Sequence, residues 1–483
     1  LTGANVEVTS DHSFNVGTST VSGNLTLTSG SAQNGDGNFG IIDTSNVTVG
    51  GNFSVTTNAN NGAIDMGTLL VDGTIALATH GSGNATVVND NGLNFAASTV
   101  GGALNATATI GSMTDTGALT VTGTTTLVTS ANDASITLDQ GGHAFTGALL
   151  ITTNDTGTDT AGDVTISAGS GAALDFGNST IDGDLIATSS NTTGITDSGA
   201  LTVRGTSSFQ TTATDADISL GTSTLGDGNG TDTITFNTTG SGGNATLDNG
   251  TTAIVLGTSA ASLATSVGGD LTLQTGHASG ITDSATVTVG RNLSARTDAN
   301  NGVINMDSLA VGGTIGFLPH GSGDVTIVNY DGINFAESTM HGVLTTSDND
   351  TLISGETIVY AKNGAETGQQ GTVVATYTAG DGTNAVTYIG TQRHTTSGIF
   401  MTTGNTPTIE PQTSGAGNTR SITAVARGTL TATATTGSIT QSGALSITGD
   451  SVFTTSEAGA DITLENTSNN LYGDVAFFTT GSR

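Results

Sequence analysis

The feature that most constrains this chain is repetition at three scales. Shifted by 240 residues, Ile41–Leu104 aligns without a gap on Ile281–Leu344, with 35 identities in 64 positions. Within that match ANNG recurs at Ala59–Gly62 and Ala299–Gly302, and HGSG at His80–Gly83 and His320–Gly323. A shorter unit lies inside: MTDTGALTVTG begins at Met113, ITDSGALTVRG at Ile195, ITDSATVTVGR at Ile281 and ITQSGALSITG at Ile439. IIDTSNVTVGG at Ile41 is a looser copy, and successive starts are 72, 82, 86 and 158 residues apart, the last interval spanning two units. Repeats of this kind are the signature of stacked architectures, in which one unit cannot bury its apolar face alone.

The finest element is a glycine, one variable residue, and then alternating apolar positions. It appears as GNLTLTS at Gly23, GNFSVTT at Gly51, GTIALAT at Gly73, GALNATA at Gly102, GTTTLVT at Gly123 and GALLITT at Gly147. Gly183, Gly205, Gly269, Gly313 and Gly342 continue the series, and the early spacings are 28, 22, 29, 21 and 24 residues. Alternation such as Leu119-Thr120-Val121 puts one face inward and one outward. The spacing is too long for a hairpin and too short for a crossover helix with two strands. It suits one coil of a right-handed parallel β-helix, an all-β solenoid with 20–30 residues per coil, in which stacking lines Val, Ile and Leu into ladders. Tandem β-sandwich repeats are the alternative.

Composition supports a thin core. Hydrophobic residues are 34% and aromatic residues 4%, too few large side chains to fill a thick interior, while 72 glycines supply turns. Forty acidic against eight basic residues leave a formal net charge of -32, and Lys362 is the only lysine. Such a surface repels nucleic acid and anionic membranes and gives trypsin-like proteases few places to cut. Cysteine is absent, so there is no disulfide framework or thiol chemistry. No apolar run has the length of a transmembrane helix. The chain opens at Leu1 without a signal-like stretch, so an export signal is expected to be removed or to lie outside this segment.

The pattern divides the chain into solenoid repeats over 1–350, an irregular all-β insertion or module over 351–427, and solenoid repeats again over 428–483. The middle stretch loses the glycine element and holds Tyr360, Tyr377, Tyr388, Lys362, Arg393, Arg420, Arg427, Pro407 and Pro411. Tyr and Arg favour interfaces, so a specific contact is expected first in this stretch, a spacer loop or strand decoration without a ligand being the other reading.

The ITDSGALTV-type element, followed by phrases such as DASITLDQGGHAFTGALLI (133–151) or ADITLENTSNNLYGDVAFF (460–478), resembles the filamentous haemagglutinin-like repeats of large bacterial adhesins exported by two-partner secretion. The resemblance covers most of the chain outside the irregular region and is specific to a repeat style. It implies a right-handed β-helical shaft that holds a binding region away from the cell. The amino-terminal secretion domain of such proteins is not recognisable here, so the chain is expected to be an internal or processed segment.

Motifs for catalysis are lacking: there is no G-x-S-x-G elbow, H-E-x-x-H helix, P-loop or cysteine nucleophile. The histidines His12, His80, His143, His277, His320, His341 and His394 are scattered without ligand spacing, and His80 and His320 sit at equivalent corners before GSG. Arg204, Arg291 and Arg296 stand apart, and no Asp-Asp dipeptide occurs, whereas glycosidases need paired carboxylates. Gly226-Asp227-Gly228-Asn229-Gly230-Thr231-Asp232 has the composition either of a calcium-binding turn or of an ordinary corner. Many N-x-[ST] triplets, among them Asn24, Asn84, Asn105 and Asn244, follow from composition alone.

No catalytic, cofactor-binding or metal residues are therefore assigned, and no cofactor is required, calcium being the one candidate. The expected role is a structural shaft of a secreted, extracellular or cell-surface bacterial adhesin. A self-assembling subunit of a filament, sheath or surface layer is the alternative, and a polysaccharide-active β-helix enzyme a distant one. Expected partners are a host or neighbouring cell surface, glycans, or copies of the chain head to tail, with no nucleic acid and no transmembrane segment.

Overall fold

The computed structural model describes residues 2–32, 40–156, 161–258, 264–340 and 430–480, apart from positions 222, 229, 300, 321–322, 331–332, 337 and 448, and between 341 and 429 only seven short strands. Among the described residues every regular element is a strand, so none is a helix long and apolar enough to cross a membrane. The chain divides into two compact units, Leu1–Leu271 and Thr272–Arg483, each a parallel β-solenoid in its own right.

In the first unit the chain passes back and forth between two parallel sheets, and strands stack in register on those one coil earlier. At places two short strands in succession lie on one sheet, as Leu93–Phe95 and Ser98–Val100 do. One ladder runs Val6, Leu25, Phe53, Ile75, Phe95, in steps of 19, 28, 22 and 20 residues. On the other sheet Ile41, Ile64, Ala85, Leu104, Thr125 and Leu149 stack in steps of 23, 21, 19, 21 and 24. Coil length is therefore that of the early glycine spacings with one exception. The interval of 29 between Gly73 and Gly102 is a coil and a half, because Phe95 already lies on Ile75 and Leu104 belongs to the opposite sheet.

The alternation read from sequence is the alternation of burial. Phe53–Thr57 buries Phe53, Val55 and Thr57 and leaves Ser54 and Thr56 partly outside. Neighbouring inward positions trade volume: Phe53 with Val55, Leu185 with Ala187, and Ser207 with Phe209. A thin interior holds close packing only when a large residue in one place is balanced by a small one beside it. Phe209 and Phe236 stack in adjacent coils with ring centroids 5.9 Å apart.

One corner type recurs. Thr57 Oγ1 donates to Gly62 O at 2.9 Å, and the residue before that glycine, Asn61, has φ 62°. Thr129 with Asp133, Thr211 with Asp215 and, in the second unit, Thr297 with Asn301 repeat the arrangement. Asn and Asp tolerate this left-handed conformation better than other side chains, which accounts for the recurrence of ANNG.

In the second unit Ile281, Ile304 and Val325 stack in steps of 23 and 21, but the next residue of the ladder is Leu430, 105 residues on. Leu430, Ser451 and Val475 then continue in steps of 21 and 24. By the 240-residue alignment Val325 is the counterpart of Ala85 and Leu344 that of Leu104, which does stack on Ala85. Here Leu344–Asp348 instead pairs antiparallel with Arg420–Ala424. Most of 351–427, expected as an irregular all-β insertion or module, lies outside the described residues. The short strands within it pair antiparallel, Ala375–Thr378 and Ala361–Lys362 each with Ala385–Ile389, and Ile399–Met401 with Ile409–Pro411.

Removing 344–429 would shorten the step from Val325 to Leu430 to 19, the step from Ala85 to Leu104. The expected outcome is a folded protein whose circular dichroism and melting temperature match the parent within a few degrees. Loss of cooperative melting would show that the segment is needed to close the ladder.

Candidate functional site

The side chains that carry polar chemistry converge on the seam between coils. Asn5 Oδ1 accepts the Asn24 N–H at 2.9 Å, Asn24 Oδ1 that of Asn52 at 2.8 Å, and Asn52 Oδ1 that of Thr74 at 2.9 Å. Asp163, Asp184 and Thr206 form the same chain, at 2.9 and 2.8 Å. Asn24, Asn52, Thr74, Asp184 and Thr206 occupy the variable position after an element glycine, and Asp163 likewise follows Gly162, while Asn5 follows Ala4. A Cβ on Gly51 would lie 2.4 Å from Asn24 Oδ1, and one on Gly205 2.3 Å from Asp184 Oδ1. Glycine is required because the side chain of the coil below fills the space a Cβ would take.

The acid of the ITDSGALTV element serves a second seam. Asp43 accepts N–H bonds from Gly67 and Thr68 and the Thr68 hydroxyl. Asp197 accepts the Gly221 N–H and the Ser223 hydroxyl. In the second unit Asp283 accepts the Asp307 and Ser308 N–H groups, while burial outweighs those bonds and raises its pKa above the usual carboxylate value. Gln441, in place of the acid, accepts the Asn466 N–H and exchanges hydrogen bonds with Asn469.

Three buried asparagines form a third set. Asn249, with 0% exposure, accepts the Leu225 N–H at 2.7 Å and donates to the carbonyls of Leu225, Thr252 and Ala253. Asn89 holds both backbone groups of Val71, and Asn329 those of Val311.

The fourth acid differs. Asp115 Oδ1 accepts the Asp139 N–H at 3.2 Å, and its Oδ2 stands 2.8 Å from Nε2 of His143, both side chains almost wholly buried. The contact is close but poorly aligned as a hydrogen bond. Nδ1 of His143 accepts the Leu119 N–H at 2.9 Å, which puts the ring proton on Nε2, facing Asp115. The ring stacks on Phe145 at 5.6 Å. A His–Asp pair with no surface is unsuited to proton exchange with a substrate.

The other residues singled out in sequence stay apart. The exposed Arg204 pairs with the buried Asp182 at 3.2 Å, and Arg296 pairs with Asp298 at 2.7 Å on the surface. In the Gly226–Asp232 turn, where Asn229 lies outside the described residues, the Asp227 N–H is bonded to Asp232 Oδ2 at 2.9 Å. Burial raises the Asp232 pKa. Among the described residues no three His, Asp or Glu side chains come together as metal ligands would. The side chains of Tyr360, Tyr377, Tyr388, Lys362, Arg393, Arg420, Arg427, Pro407 and Pro411 lie outside the described residues, as do those of His341 and His394.

Three stretches match a repeat family. Residues 82–152, 161–224 and 408–477 fit a family described as repeats of unknown function (DUF5649), together less than half of the chain. The elements at Met113, Ile195 and Ile439 fall 31, 34 and 31 residues into the three matches, so the family repeat and the unit read from sequence coincide. No curated protein and no solved structure matches the chain.

Sequence reading missed the seam. The Asp of ITD, the Asn of VVNDNG and IVNYDG, and His143 were legible only as recurring polar residues beside apolar ones. Their recurrence at repeat spacing was the one signal that could have found them.

Gly205→Ala should cost roughly 1–3 kcal/mol by forcing Asp184 aside, whereas Gly141→Ala, with open space at its Cβ, should be neutral. Asn249→Ala should cost roughly 1–3 kcal/mol by stranding the Leu225 N–H. Denaturant melts of the three variants check the order. A Gly205→Ala variant as stable as wild type would refute the close-approach account.

Proposed function

We propose that the chain is a structural shaft segment of a secreted bacterial surface adhesin, passive in chemistry and built to hold other parts of the protein outward. The observation that carries this reading is the engagement of its recurring polar side chains. Asn24, Asn52, Asp184, Asp197, Asp283 and Asn249 all bind the backbone of an adjacent coil. Side chains held this way stabilise stacking and are withdrawn from ligands and substrates. The formal charge of -32 and the scarcity of Lys and Arg suit an exposed protein facing proteases. The likeness of the ITDSGALTV element to filamentous haemagglutinin-like repeats supports the same role, for which no cofactor is needed.

The test is replacement in the producing bacterium of residues 2–340 by an unrelated solenoid with the same number of coils. Antibodies to the chain should label intact wild-type cells, and the replaced strain should adhere as the wild type does. Lost adhesion would make the segment itself a binding surface. Long polymers of the purified chain, seen by sedimentation and electron microscopy, would favour a self-assembling surface subunit instead.

A further inference from the structure

The seam between the coil of Met113–Asp115 and that of Ile136–Phe145 is the one described copy of the acid seam closed by a titratable donor. His143-Ala144-Phe145 lies on Leu119-Thr120-Val121 as Ser223-Thr224-Leu225 lies on Leu201-Thr202-Val203. At this position Ser223 donates its hydroxyl to Asp197, and His143 turns Nε2 toward Asp115. The imidazole faces its acid where the serine faces its own, and it makes a bond the serine does not, because Nδ1 accepts the Leu119 N–H. A proton from solvent can add only at Nδ1, and Nδ1–H would then face the Leu119 N–H across 2.9 Å, donor against donor.

We propose that His143 is an acid-sensitive latch, and that its protonation releases Leu119 and opens the two coils locally at residues 116–124 and 136–146. The groups facing the ring decide whether the proton is tolerated. Asp115, on the strand beneath, and Asp139, on its own strand, attract it. Leu119–Val121 and Val164–Ala168, the other strands packed against it, bring no titratable side chain. Loss of hydration on burial outweighs both acids and holds the imidazole below the ordinary histidine value of 6.5. A folded-state pKa below that of the open state means that the open state binds more protons. The closed state therefore has its full advantage above pH 6.5 and loses it as pH falls.

Hydrogen exchange of the full chain at pH 7.5 and 5.0, corrected for intrinsic rates, reads this directly. Opening rises up to about tenfold per unit below 6.5, so peptides covering 116–124 and 136–146 should lose up to about thirtyfold in protection at pH 5.0, with flanking coils unchanged. His143→Gln retains an acceptor for Leu119 and a donor for Asp115 without a titration, and His143→Ser restores the arrangement at Ser223. Both should exchange alike at the two pH values. Equal protection in the wild type at both pH values, a fall spread evenly over the chain, or a fall that persists in either folded variant overturns the latch.

Discussion

Everything in this molecule depends on one coil lying flush on the next, and the corner hydrogen bond from a backbone N–H to the Asn or Asp oxygen one coil below sets that contact. Where Asn24 reaches Asn52, or Asp184 reaches Thr206, the side chain occupies the position a Cβ would need on the preceding glycine. The bond and the glycine are two halves of one constraint. It fixes the register of the strand that follows, since the first inward residue comes directly after the bonded N–H, as Phe53 does after Asn52. With register fixed, a one-residue slip that would turn the apolar face outward is blocked at each such corner.

The architecture was readable because this constraint writes itself into sequence as glycine, a short polar residue and an alternating run. Elements at Gly23, Gly51 and Gly73 open strands that stack as the pattern requires. The step from Gly73 to Gly102 shows where reading fails. An interval of 29 fits a long coil as well as a coil and a half, and only pairing tells them apart. Strands outside the series, such as Ala85–Asn89 after Gly83-Asn84 and Leu93–Phe95 directly after Gly92, left no mark in the count.

Polar chemistry was less legible for a physical reason. The partners of Asp197, and the Leu225 groups that Asn249 binds, lie 24 to 26 residues away, and most are backbone groups, which every residue possesses. Sequence cannot mark an acceptor whose donor is anonymous. His143 was harder still. DQGGH interposes four residues between its strand segments, so it falls out of step with Ser223 in the linear alignment although both occupy one position in the stack.

The long step in the second unit bears on the order in which the chain folds. Most ladder pairings join residues about one coil apart, so each finished coil is a template for the next, and growth can proceed by local closure. Bringing Leu430 to Val325 closes a loop of 105 residues where its neighbours close about 21. Treated as a flexible loop, that fivefold difference costs only about 1.4 kcal/mol of closure entropy. Thermodynamically the excursion is nearly free. During synthesis it is not, because the template at Val325–Asn329 must wait with an open edge until the 100 residues 330–429 have been made. That pause, rather than any weakness of the finished stack, is where aggregation would compete with folding.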